Sequence, residues 1–294
     1  MKSTQITRRQ AIATVGATVA AAAAVPALGK FAFAQAPALP TAQQVVDLIK
    51  AHLNMEWNSK TYRDTFKSGD PNTPVKGIAS CFMSTFEVIK KAHAQGLNFV
   101  ISHEPTYWTD ADLIEPIKNE ALYHEKRSFI ESNGMVVWRI HDHWHRFRPE
   151  PMIEGKNRLL RWNKDEQNEL FHFPPTKLSE VARQVAERMF TRSVRIVGNP
   201  DMLVTTLATG GHGLSQNIAA WEKADVSMSS EVREWETVEY ARDLVASGAK
   251  KALILISHEA GEEEGMVIFS EWMKTIAPNI RTVFISTNDN MYLV

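Results

Sequence analysis

Asn98-Phe99-Val100-Ile101-Ser102-His103-Glu104 and Ala252-Leu253-Ile254-Leu255-Ile256-Ser257-His258-Glu259 end in the same four residues, Ile-Ser-His-Glu. Each copy closes a short apolar run, the pattern of a strand buried on both faces. A helix-like segment precedes each, ending at Gly96 in the first and Gly248 in the second. Strand and helix alternating in this way imply a mostly parallel sheet covered by helices. The repeat therefore predicts an α/β fold of two similar β/α halves. It also places metal-capable side chains at equivalent strand ends, where open α/β sheets bind their ligands.

The alternation continues outward from both copies. Residues 41–53 are amphipathic, with Val45, Val46, Leu48, Ile49 and Leu53 on one side. Val75 to Phe82 reads as a strand, Ser84-Thr85 as a helix cap and Phe86, Ile89 and Ala92 as the buried face of the next helix. Residues 119–132 are helical, and Met135 to Ile140 is a strand leading into His141-Asp142-His143-Trp144-His145. Arg146 to Pro175 is polar, aromatic and Pro-containing, and reads as a connection. Beyond it come a helix over 178–190, strands over 194–197, 203–208 and 225–229, and a helix over 237–246. A helix over 264–276 and a last strand over 281–286 complete the second half. The expected organisation is a leader at 1–34, a first half at 35–145, a connection at 146–176 and a second half at 177–294.

The leader is read from Thr7-Arg8-Arg9-Gln10-Ala11-Ile12, a mildly apolar run from Ala11 to Val25, and the A-x-A site Ala32-Phe33-Ala34. It resembles a twin-arginine export signal, with Ala11 where that pattern prefers Phe. The expectation is a periplasmic protein without a stable membrane anchor after cleavage. The chain has 294 residues, 44% hydrophobic and 23% charged, with a net charge of −1. That balance gives no basic surface for nucleic acid. A single cysteine, Cys81, excludes an internal disulfide framework and reads as a core residue.

Three segments carry the chemistry. His103-Glu104 ends one strand, the histidine cluster at 141–145 follows another, and His258 with Glu262 follows a third. Imidazole and carboxylate together suit zinc, manganese or iron. His258 and Glu262 share a face if a helix starts there. In an extended segment His141, His143 and His145 also share a face. Gly210-Gly211-His212-Gly213 reads as a plain turn, and Glu262-Glu263-Glu264 by itself as a solvated helix start.

These motifs, in this order, resemble the Nif-three-like family, dinuclear metal-centre proteins also described as type 2 homologues of GTP cyclohydrolase I. The family reads Ile-Ser-His-His-Pro where this chain has Ile101-Ser102-His103-Glu104-Pro105. The family's His-Thr-Asn-Leu-Asp run aligns with His141 to His145, and its Gly-His-x-x-x-Glu with Ser257 to Glu262. The resemblance spans about residues 41–286. Carried over position by position, it implies the metal ligands His103, Glu104, His145, His258 and Glu262, with Glu104 replacing a His and His145 an Asp. Asp142 or His143 could supply a ligand instead if the loop is shifted. The resemblance further implies a metal cleft between the halves and a ring-like homo-hexamer. The functional expectation is a hydrolase for an undefined small molecule. It would use water activated at one or two metal ions, with Glu104 or Asp142 as catalytic base. The alternative is a metal-binding or metal-handling protein without turnover.

Overall fold

The structure is a computed structural model in which residues 38–165, 170–288 and 291 are described. The leader reading at 1–34 lies outside them. In chain order the first elements are α1 (Ala42–Leu53), β1 (Phe66–Ser68), β2 (Ile78–Met83), α2 (Phe86–Ala94), β3 (Phe99–Glu104), α3 (Ala121–Ser132) and β4 (Val136–Arg139). Then come α4 (Asp142–Arg146), α5 (Pro151–Leu160), β5 (Asn163–Asp165), β6 (Leu170–Lys177), α6 (Leu178–Arg188), β7 (Arg195–Val197) and β8 (Leu203–Thr209). The last are α7 (Leu214–Lys223), β9 (Val226–Ser230), α8 (Glu239–Ala246), β10 (Ala252–Ile256), α9 (His258–Ile276) and β11 (Thr282–Phe284).

Two sheets form, in the orders β1-β4-β3-β2-β11 and β5-β6-β8-β9-β10-β7. In the first, β4, β3, β2 and β11 run parallel, and only the β1 edge is antiparallel. In the second, β8, β9 and β10 form a parallel centre with antiparallel strands on both flanks. The two Ile-Ser-His-Glu copies lie at the C-terminal ends of parallel strands of the two sheets, β3 and β10. Alternation along these strands feeds a core on each face. Phe99 and Ile101 pack with α1 and α9, while Val100 packs with α2 and α3. In the second sheet Ile254 faces α6, while Leu253 and Leu255 face Trp221 and Ala241. Cys81 lies in the first sheet's core, as its strand position implies.

Local signals explain the helix starts. Thr41 caps α1 in a reciprocal box with Gln44, and the Thr85 hydroxyl accepts from Val88 N. Two segments of the chain extend what the sequence reading named. The 146–176 stretch, read as a connection, carries α5, β5 and most of β6. The final strand, expected in the second half, pairs with β2 of the first sheet through Thr282↔Ile78 and Phe284↔Ser80. The reason is α9. It leaves the second sheet but packs on the first sheet through Met266, Phe269 and Met273, and so delivers the chain back to that sheet's open edge.

The pairing of α5 with α9 is unusually close because glycines meet there. A Cβ on Gly155 would come within 2.9 Å of Gly265 N and 3.0 Å of Glu264 Cβ. The Trp144 indole N–H donates to Gly265 O at 3.2 Å, tying α4 to the same point of α9. Gly155→Ala is expected to push these helices apart at a cost of about 1–3 kcal/mol. A thermal melt unchanged from wild type would show that the crossing tolerates the methyl group.

No helix among the described residues is long and apolar enough to cross a membrane.

Candidate metal centre

The ends of β3 and β4, the turn after β8, the end of β9 and the first turns of α9 meet at one place. Each contributes a histidine or a carboxylate. His103 is fully buried; its Nδ1–H donates to Ile140 O at 3.0 Å. His141 Nδ1–H donates to Asp142 Oδ1 at 3.0 Å, and His145 Nδ1–H to Glu150 Oε1 at 2.7 Å. His212 Nδ1–H donates to Ser230 O at 2.7 Å, and His258 Nδ1 pairs with Glu231 Oε2 at 2.5 Å. Each of the five rings is thus anchored through Nδ1 and has Nε2 left for the centre. Outer acceptors of this kind fix ring orientation and tautomer at metal sites.

Four of the five Nε2 atoms converge on two buried carboxylates. Glu262 Oε2 lies 3.1 Å from His258 Nε2 and 3.4 Å from His103 Nε2, while Oε1 lies 3.4 Å from His212 Nε2. Glu104 Oε1 lies 3.4 Å from His141 Nε2 and 3.8 Å from His258 Nε2. Its other oxygen accepts from the fully buried Arg139 Nη2 at 2.8 Å. Three overlapping groups have donor atoms within 4.8 Å of one another: His103, His141 and His145; His212, His258 and Glu262; and His103, Glu104 and Glu262.

This donor set fits a divalent cation. His103 Nε2 and His145 Nε2 face each other at 3.2 Å, although each ring already uses Nδ1 as a donor. Only a proton on one of them or a cation between them can relieve two opposed lone pairs. Two nitrogens bound to one zinc at about 2.0–2.1 Å would sit roughly 3–3.4 Å apart.

The electrostatics are divided across the site. Burial pushes the His103 imidazolium down to about 4, against the pull of Glu262, so this ring is neutral at pH 7. Burial opposes charge on His258 as well, but Glu231 and Glu262 outweigh it and hold His258 up at about 10. Burial works against ionised Glu262, yet the three histidines around it keep its carboxyl well below the usual range. Glu104 is lowered too, with burial outweighed by His141, His103 and Arg139.

All five residues implied as ligands meet here: His103, Glu104, His145, His258 and Glu262. The expectation that His258 and Glu262 share a face holds because α9 begins at His258. Glu262 is buried, not part of a solvated acidic start. Glu259, the last residue of the second repeat, lies outside these groups and lines a separate cavity of about 280 Å³ with Glu263 and Arg192. The two repeats mark equivalent strand ends but supply different donors.

The 141–145 cluster is a helix, not an extended segment. Residues four apart then share a face, so His141 and His145 point into the centre together. His143 turns away: its ring stacks on Trp57 with centroids 3.6 Å apart, and its Nε2 accepts from Asn58 N at 2.9 Å. Asp64 enforces this turn. Its buried carboxylate accepts from His141 N at 2.5 Å, Asp142 N at 3.0 Å and His143 N at 2.9 Å, and also from His143 Nδ1. Asp142 stands behind His141. Its oxygens accept from Thr61 Oγ1 at 2.7 Å and Arg63 Nη1 at 3.2 Å as well as from His141, so it orients that ring.

His141 and His212 join the centre in addition to the ligands implied by the sequence. The spacing of His141 to His145 equals that of His258 to Glu262, a signal present in the chain. His212 sits just past a strand end, in the position typical of sheet ligands. Its turn is shaped by the buried Asn217, whose Nδ2 donates to Gly211 O and Gly213 O, both at 2.9 Å. Arg139 and Glu150 carry no local signal.

No protein-family model matches the chain, and no curated protein matches it. Solved structures do. The Staphylococcus aureus hypothetical protein SA1388 superposes with a TM-score of 0.68 at 16% identity, over 87% of this chain and 99% of that one. A Bacillus cereus protein related to NIF3 gives 0.65 at 13% identity, over 87% and 99%. The protein ybgI, described as of unknown function, gives 0.64 at 20% identity, over 85% and 100%. The chain has the NIF3-like fold. The fold expected from the sequence resemblance is therefore present along nearly the full length of these proteins. The functional reading rests on the side chains of the centre.

Proposed function

We propose that this protein is a divalent-metal-dependent hydrolase of the Nif-three-like family, acting on a small molecule. The convergence of four Nδ1-anchored imidazoles on Glu262 and Glu104, with His145 Nε2 facing His103 Nε2, carries this reading. His103, His141 and His145 would hold one ion; His212 and His258 would hold a second; Glu262 would be shared. Zinc, manganese and iron suit this nitrogen-rich set with carboxylates. A bound divalent cation polarises a carbonyl or phosphoryl oxygen and acidifies water in its shell.

The chain's own residues supply orientation and enclosure. Ile140 O, Asp142, Glu150, Ser230 O and Glu231 hold the five rings. Buried His103, Glu104 and Glu262 form the dry floor, and the more exposed His212 and Glu231 lie towards solvent. The same burial of donors also suits metal storage or delivery without turnover.

A panel of phosphoester, ester and amide substrates separates the two readings. Turnover that a chelator abolishes and added metal restores is expected. Stoichiometric metal with no turnover on any class would favour metal handling. Export through the twin-arginine route to the periplasm and a homo-hexamer belong to this proposal. Cell fractionation of an Arg8→Lys/Arg9→Lys variant and the solution mass test them; retained export or a monomer would contradict them.

A further inference from the structure

We propose that Arg139 is a positioning residue that makes Glu104 a one-oxygen ligand and sets the strength with which that ligand holds its ion. The inference rests on the metal-centre reading above and concerns a side chain that touches no ion itself.

Arg139 is the last residue of β4 and is fully buried. Ser102 pairs with it across the β3–β4 ladder, so its side chain stands on the same face as that of Glu104, two residues on. Its guanidinium then spends its donors on the ligand-bearing chain. Nε donates to His103 O at 2.8 Å, Nη2 to Glu104 Oε2 at 2.8 Å, and Nη1 to Asp110 O at 2.5 Å. One rigid fork therefore grips His103 and Glu104 of the first Ile-Ser-His-Glu copy and the loop that follows. With Oε2 held, only Oε1 of Glu104 faces His141 and His258.

Two consequences follow. Oε2, which already accepts from the fork, is the poorer donor to a cation, so Glu104 offers Oε1. The fork also fixes the carboxylate before an ion arrives, so Oε1 is already aimed at its ion and no side-chain ordering opposes binding. The buried carboxylate at 104 is compensated by the buried cation, whose charge Asp110 at 3.5 Å and Asp112 at 4.0 Å also face. A lysine cannot reproduce the fork, because its ammonium is a point donor without planar, divergent N–H groups.

The test uses zinc and cobalt with the purified full chain. Affinities come from competition with a chromophoric chelator, and the cobalt absorption spectrum reports the ligand field. For Arg139→Lys, affinity at one equivalent is expected to fall about 10–100-fold, as for loss of an outer partner. The second equivalent should stay near wild type, and the cobalt spectrum should shift. Glu104→Gln should weaken the same equivalent, and adding Arg139→Lys to it should cost little more. Arg139→Lys that binds both equivalents as wild type does, or loses both equally with the fold intact, would overturn the proposal. So would full additivity in the double variant. Should Arg139→Lys not fold, Glu104→Gln and Glu104→Asp decide: equal affinity in all three Glu104 forms would overturn it. Wild-type protein that binds no metal would instead remove the reading on which the proposal rests.

Discussion

Asp64→Ala is expected to lower stability by about 3–5 kcal/mol and to remove most metal binding. The side chain is fully buried and receives the backbone N–H groups of residues 141, 142 and 143, together with His143 Nδ1. Alanine leaves these donors facing a dry pocket, and breaking a buried polar pair on one side costs roughly that amount. For a chain of this size that is on the order of 10 °C in melting temperature. The functional loss follows from the same contacts. Without its cap α4 has no reason to start at Asp142, and His141 and His145 lose their shared face. Asp64→Asn keeps one acceptor oxygen and should fall between the two. A melt and a metal titration check this; wild-type metal affinity in Asp64→Ala would separate the cap from the centre.

Glu262→Ala is expected to reduce metal affinity by at least about 100-fold, more than loss of His212. Loss of a single outer partner already costs about 10–100-fold. Glu262 stands closer in: its two oxygens face His103, His212 and His258, so it belongs to two of the three donor groups. His212→Ala, by contrast, removes a half-exposed donor from one group only and should weaken one equivalent. Titration with the same chelator would measure both. Equal losses in the two variants would deny Glu262 its shared role.

The fold was legible because its signals are local. Apolar runs ending at His103 and His258, helix caps at Thr41 and Thr85, and turns at Gly96 and Gly248 name their elements without reference to the rest of the chain. The exceptions have distant causes. β11 joins the first sheet because α9 carries the chain across, and α5 appears where polar residues hide a glycine contact with α9. The site divides in the same way. His103, His258 and Glu262 announce themselves by strand-end position and helical spacing. The shape of the 141–145 segment depended on Asp64, 77 residues upstream of His141 and dispensing its cap through space. Read as extended, the segment puts His143 inside; read as a capped helix, it puts His143 against Trp57 and leaves His141 with His145. Arg139 was equally hidden. A lone arginine among apolar strand residues has no meaning until Glu104 is seen across the ladder.

Anomalous diffraction from crystals of the full chain loaded with zinc tests the central claim most directly. Peaks are expected within about 2.0–2.1 Å of His103 Nε2 and His258 Nε2, with a Glu262 oxygen in reach of each. Zinc-loaded crystals with no peak among these side chains, or with zinc bound only at surface histidines such as His52 or His124, would contradict it.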